Sequence, residues 1–142
     1  MSDIHVGPGH LEALRSVPVF AGLDEETLGR LAEVATEVEL PKGHVLIERD
    51  QEGSGLLVVL DGAVQVQVGD DRIDKGAGEF FGELSLLVPG LKHTARVQAV
   101  SPVRCLAIRR DDVEALLAEH PRIAVGMLRV LARRLAETLS LL

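Results

Sequence analysis

The stretch GAGEFFGELSLLVPGLKHTARVQA, Gly76–Ala99, decides how the chain is read. Three glycines, Gly76, Gly78 and Gly82, sit around Phe80-Phe81. Glycine permits positive φ and lets the backbone come close to a neighbour. ELSLL after Gly82 is long enough for about one helical turn, whose first free amides favour an anion lying over Gly82. The spacing fits a tight barrel corner with no ligand equally well. A dinucleotide fingerprint is a poor match, because no long helix follows and the strand context differs. Glu83 is out of place beside an anion, since a carboxylate repels phosphate. It serves better as an acceptor for a sugar hydroxyl, or as a residue complementing the dipole of a first helical turn.

Upstream of this stretch the hydrophobic period is two. From Thr36, VELP leads into the turn Pro41-Lys42-Gly43, then VLIE, the loop 49–54 and GLLVVL. Asp61-Gly62 is a strong hairpin signal. AVQVQV alternates, with Val64, Val66 and Val68 on one face, and a turn at Gly69-Asp70-Asp71 precedes RID. Downstream, TARVQAV and VRCLAI supply two more strands, separated by Ser101-Pro102. Many short strands with glycine punctuation predict a small antiparallel barrel or jelly roll.

The ends are helical. HLEALRSVPVF, residues 10–20, reads as a short helix ended by Pro18. Asp24 is placed to cap EETLGRLAEVA, in which Leu28, Leu31, Ala32 and Ala35 share a face. DDVEALLAEH starts with two acids, which suits the helix dipole, and Pro121 opens RIAVGMLRVLARRLAETLSLL as a first-turn proline would. Ala124, Leu128, Leu131, Leu135, Thr138 and Leu142 recur at spacings of four and three, a heptad seam. Such a seam packs either on its own barrel or on a second subunit. The barrel is already filled by its own strands, so the expectation is a homodimer through this helix. The predicted class is α+β, mainly β: an antiparallel β-roll or jelly-roll barrel over about 36–109, flanked by N-terminal helices and by two C-terminal helices over about 110–142, in one domain, 1–142.

Composition narrows the function. The net charge of −7 argues against nonspecific nucleic-acid binding, which needs Lys and Arg to neutralise phosphates. Three Phe, with no Tyr or Trp, leave almost nothing for base stacking. One cysteine, Cys105, excludes an internal disulfide and a cysteine-built zinc site. The start MSDIHVGPG has neither a basic region nor an apolar run, and no stretch approaches the ~20 apolar residues of a membrane span. A cytoplasmic protein with no membrane partner is expected. The five histidines (5, 10, 44, 93 and 120) show no i,i+4 pairing, and no catalytic triad, carboxylate dyad or metal-ligand cluster is visible. Neither an enzyme nor a resident cofactor or metal is expected.

From Val17 to Leu139 the chain resembles the cyclic nucleotide-binding domain family, the sensor fold of catabolite activator-type regulators, protein kinase A regulatory subunits and gated channels. The resemblance is carried by PVFAGLDEETLGRLA, LPKGHVLIERDQEGSGLLVVLDGAVQV, the glycine stretch, and RRDDVEALLAEHP followed by LARRLAET. It implies that Gly82, Leu84 and Ser85 contact ribose and phosphate, that Glu83 accepts the ribose 2′-hydroxyl, that Thr94 binds a phosphate oxygen and that Thr138 meets the base. It further implies a cyclic nucleotide sensor, with cAMP the expected ligand and cGMP the alternative, that reports occupancy through the hinge before the last helix. The alternative is a degenerate domain that binds no nucleotide and serves dimerisation or docking. The chain stops inside its last predicted helix, leaving no room for a helix-turn-helix domain, so no nucleic acid is expected as a partner of this chain alone.

His93 stands where the family carries its phosphate-binding arginine. Arginine offers a planar, always-charged fork, whereas histidine is shorter and mostly neutral at pH 7. Losing a charged hydrogen-bond partner costs about 1.5–3 kcal/mol, roughly a 10–100-fold weakening. On an extended strand, Lys92 and Arg96 point away from the face that His93 occupies.

Overall fold

In the computed structural model, the described residues are 3–5, 14–51, 55–82, 88, 90, 92 and 95–139. The period-two stretches form strands β1 (Asp3–His5), β2 (Thr36–Leu40), β3 (Val45–Ile47), β4 (Gly55–Asp61), β5 (Val64–Val68), β6 (Asp71–Lys75), β7 (Phe80–Phe81), β8 (Arg96–Ala99) and β9 (Val103–Arg109). They pair antiparallel in two sheets, ordered β1-β2-β9-β4-β7 and β3-β8-β5-β6. Helices α1 (Glu25–Val34), α2 (Arg110–Glu119) and α3 (Arg122–Leu139) flank the sheets, with a 3-10 turn at Pro18–Phe20. The predicted helix-flanked β-roll is the observed architecture.

Gly69-Asp70 closes a true hairpin, with β5 and β6 in register from Val64↔Lys75 to Val68↔Asp71. Asp61-Gly62 does not. β4 pairs with β7 and β9, whereas β5 pairs with β6 and β8, so the chain changes sheets at this turn. Gly62 has φ +97°, and a Cβ there would lie 2.3 Å from the Pro102 carbonyl oxygen. Its turn is thus pressed onto the Ser101-Pro102 turn, which also changes sheets. The Ala63 N–H donates to Ser101 Oγ (2.9 Å) and the Val100 N–H to the Ala63 carbonyl (3.0 Å). Another sheet-changing turn, Pro41–Gly43, joins them through the Gly43 N–H to the Ala99 carbonyl at 2.8 Å.

Because the first sheet is covered on both faces, its central strands bury residues on both. Val59, Val103 and Cys105 face the second sheet with Leu40, Ile47, Val64, Val97 and Ala99. Leu56, Val58, Leu106, Ile108 and Phe80 face the helices, meeting Phe20, Leu28, Leu31, Val113, Leu116 and Met127. Asp24 caps α1 as predicted, accepting from the Thr27 N–H at 2.8 Å, and Leu28, Leu31, Ala32 and Ala35 are buried.

Three helical expectations need correction. Leu14 and Arg15 are helical, and that helix stops at Arg15, before Pro18; Pro18 itself opens the 3-10 turn, where its missing N–H and fixed φ cost nothing; residues 10–13 lie outside the described ones. Pro121 stands just before α3, its carbonyl accepting from the Val125 N–H at 3.3 Å. The heptad seam is split. α3 buries Ile123 and Met127, with Val130 and Leu131 packed on the same core, while Leu128 (65% exposed) and Leu135 (58%) face outward. At 100° per residue the barrel-facing side centres near Met127 and Arg134. The outward apolar stripe is Val125, Leu128, Ala132, Leu135 and Leu139, spaced by three and four. Leu142 lies outside the described residues.

Candidate functional site

The glycine stretch begins as a turn locked onto β4. The Gly78 N–H donates to the Val59 carbonyl (2.8 Å), the Val59 N–H to the Glu79 carbonyl (2.9 Å), and β7 then pairs Phe80 with Val58 and Phe81 with Leu57. Gly78 has φ +94°, with a notional Cβ 3.1 Å from Pro18 Cδ. Gly82 has φ +98°, and a Cβ there would lie 2.4 Å from the Gly55 carbonyl oxygen. Both positions therefore require glycine. Gly76 makes neither demand: its φ is not positive and its notional Cβ meets only the Gly62 oxygen, at 3.6 Å.

Of the sequence-predicted site residues, Gly82 and Thr138 are described; Glu83, Leu84, Ser85, His93 and Thr94 lie outside the described residues. Arg96, at the far end of the stretch, is engaged by Glu48 (Nε to Oε2, 3.4 Å). A cavity of about 640 Å³ at the other end of β4, lined by Glu39, Asp61 and Arg104 among others, is separate from this region.

The structure joins the glycine stretch to the last helix through a residue that sequence reasoning passed over. Arg134 on α3 donates from Nη2 to the Phe80 carbonyl at 2.9 Å, sets its guanidinium 4.4 Å from the centre of the Phe80 ring, and lies 3.5 Å from Glu79 Oε1. Lys75 Nζ approaches the same carboxylate oxygen at 3.9 Å. These are charge-assisted and cation–π contacts to a half-buried arginine, two residues before Gly82. Thr138, one helical turn further on, is exposed and donates its hydroxyl to the Arg134 carbonyl at 2.9 Å. The sequence signals for Arg134 were its place in LARRLAET and its i−4 relation to Thr138, which puts both on one helix face.

A second bond ties α1 to the junction between α2 and α3. Thr27, buried in α1, meets His120 Nδ1 through Oγ1 at 3.1 Å, and His120 is the last residue before Pro121. The side-chain hydrogen bond with Thr27, and then the Thr27 N–H, hold the Asp24 carboxyl below its usual range; the nearby charges of His120 and Arg122 act in the same direction. Burial between the sheets, with a smaller contribution from Glu37, pushes the Cys105 thiol up to about 11, so it is inert core filling at neutral pH. Among the described residues no group of His, Cys, Asp or Glu is arranged to hold a metal, and no helix is long and apolar enough to cross a membrane.

A helix-flanked β-roll with a glycine-built loop tied to its C-terminal helix is the architecture of a regulatory binding domain. The chain belongs to the cyclic nucleotide-binding domain family, whose model matches residues 37–120. It is 30% identical over 133 residues to a CRP-like cAMP-activated global transcriptional regulator of Mycobacterium tuberculosis, covering 89% of this chain and 59% of that protein. It is similar in structure to the Thermus thermophilus catabolite activator protein (TM-score 0.75, 31% identity, 85% of this chain and 59% of that one). It is also similar to the regulatory subunit of a cAMP-independent protein kinase A from Trypanosoma brucei (TM-score 0.77, 25% identity, 86% of this chain and 44% of that one). The chain thus spans about three fifths of the two bacterial regulators.

Proposed function

We propose that the chain is a cyclic nucleotide sensor that takes cAMP over residues 82–94 and signals through α3. One observation carries this reading: at the start of that stretch, within the family match, the Gly82 backbone is held at φ +98° against Gly55, a conformation no other residue supports without strain. In this reading Gly82, Leu84 and Ser85 hold ribose and phosphate by backbone and hydroxyl contacts, and Glu83 accepts the 2′-hydroxyl. His93 and Thr94 face the phosphate, and Thr138 faces the base once its hydroxyl leaves the Arg134 carbonyl. Occupancy then bears on Arg134, which already links β7 to α3, and α3 turns about the His120-Pro121 hinge. The work is regulatory and cytoplasmic, and α3 pairs with a second copy through its outward stripe.

Calorimetric titration with cAMP and cGMP at about pH 6 and about pH 8 tests the ligand. A protonated imidazole attracts phosphate and a neutral one does not, so affinity tightens as pH falls through the histidine range. His93→Arg removes the pH dependence and strengthens binding. Affinity that ignores pH would count against His93 as the phosphate contact.

A second reading, a domain that has lost its nucleotide and keeps only a docking role, is favoured by His93 itself and by the similarity to the cAMP-independent regulatory subunit. Absence of binding in both the native chain and His93→Arg would select it.

A further inference from the structure

We propose that the groove between the 3-10 turn and the first two turns of α3, a place separate from the proposed nucleotide site, docks an acidic segment of a protein partner. Two glycines shape this groove. Gly126 brings the α3 backbone onto the 3-10 turn so closely that a Cβ would lie 2.3 Å from the Val19 carbonyl oxygen. Gly22, at φ +85°, turns the chain away again. Between them lies a cavity of about 380 Å³, bounded by residues 21–23 on one side and by Arg122, Val125 and Arg129 on the other.

Its floor is apolar and its rim is cationic. Leu23 is half-buried, Val125 is 44% exposed, and among the described residues no acidic residue lines the groove; the Asp24 carboxylate beside it feels the charge of Arg122. Arg122 and Arg129 are both exposed and stand seven residues apart, about 10.5 Å along the helix axis. That separation suits two carboxylates better than one phosphate. Arg129 and Arg133 make no ion pair among the described residues. α3 carries four arginines against one glutamate, on a chain whose net charge is −7. Positive charge is therefore concentrated on this helix, and a complementary partner is acidic with an apolar side chain for the floor. An extended segment with acid, apolar and acid at alternate positions spans about 13 Å, which the two arginine side chains can bracket. The chain's overall negative charge disfavours nucleic acid as the occupant. The outward stripe of α3 shares Val125 with the groove but otherwise lies on the adjoining face, so a second copy on the stripe leaves the arginines open. Because one wall belongs to α3 and the other to the N-terminal layer, a change in the angle of α3 alters the width of the groove.

The test uses the full chain and a fluorescent decapeptide with Glu-Ser-Leu-Ser-Glu at its centre, read by anisotropy at low salt. Binding is expected, weakened about tenfold by Arg129→Glu, largely retained by Arg129→Lys and lost as salt rises. Unchanged unfolding of Arg129→Glu shows that the variant is folded. The proposal is overturned by no binding to the native chain. It is overturned equally by similar binding of a Lys-Ser-Leu-Ser-Lys peptide, or by an Arg129→Glu variant that binds as well as the native chain. If vesicles containing phosphatidylserine bind the native chain and the peptide does not, the groove is a membrane contact and the proposal fails. If Arg129→Glu abolishes self-association instead, the occupant is a second copy and it fails likewise.

Discussion

At position 82 two demands coincide: a φ of +98° and a notional Cβ 2.4 Å from the Gly55 carbonyl. An alanine there carries the conformational penalty of about 1–2 kcal/mol and must also push β4 aside. Gly82→Ala is expected to lower stability by about 2 kcal/mol or more in urea unfolding without ligand. Gly76→Ala, where φ is not positive and the notional Cβ meets only an ordinary contact, is expected to be neutral or mildly stabilising. A Gly76→Ala variant as damaged as Gly82→Ala would show that the loop is strained throughout. The sequence revealed that glycines were needed here. It could not rank them, because the obstacle at 82 belongs to a strand 27 positions earlier in the chain.

Among the elements, α1 and α3 carry the bonds that fix the α2–α3 junction and hold α3 to β7. Asp24 has its pKa lowered chiefly by Thr27, so its ordinary unfolded value is the higher one. Its cap therefore stabilises the fold fully above the usual carboxylate range, and that contribution disappears as pH falls through the lowered folded value. Asp24→Asn keeps an acceptor for the Thr27 N–H but cannot titrate. Thermal unfolding from about pH 6 down to about pH 3 should thus show a shallower acid loss in Asp24→Asn than in the native chain. An identical slope would assign the acid sensitivity to other carboxylates. At the other end, Arg134→Ala removes the charge-assisted bond and ring contact that hold α3 to β7. Amide exchange in the last turns of α3 should then quicken roughly tenfold, with α1 unchanged. Uniform exchange across the chain would mean that the contact is incidental. The element boundaries were legible because period two and the helical period differ so clearly in this chain. Arg134 was not, since its partner Phe80 is 54 residues away and nothing local to either names the other.

For the whole molecule, the outward stripe of Val125, Leu128, Ala132, Leu135 and Leu139 leaves large apolar side chains exposed on one helix. A paired charge on it, Leu128→Asp with Leu135→Asp, should convert a dimer to a monomer in sedimentation while leaving the β-roll folded. A native chain that sediments as a monomer at high concentration would remove the basis for the stripe as an interface. The sequence pattern showed that α3 had apolar residues to spare, but spacings of three and four fit several neighbouring faces. Only the position of Met127 and Arg134 against the barrel decides which face is left over. In the same way, Asp61-Gly62 announced a turn without naming the partner strand; β5, which follows it, joins the other sheet, and β4 pairs with β7 and β9.

That distinction among turns has a practical use. The corners at 41–43, 61–62 and 101–102 are bonded or pressed to one another and tolerate no added chain. The Gly69-Asp70 hairpin is exposed, joins two strands of one sheet, and has open space around Gly69. It is the position at which a fluorescent reporter domain can be spliced into the chain while the core of the roll stays intact, so that the proposed ligand response can be followed optically.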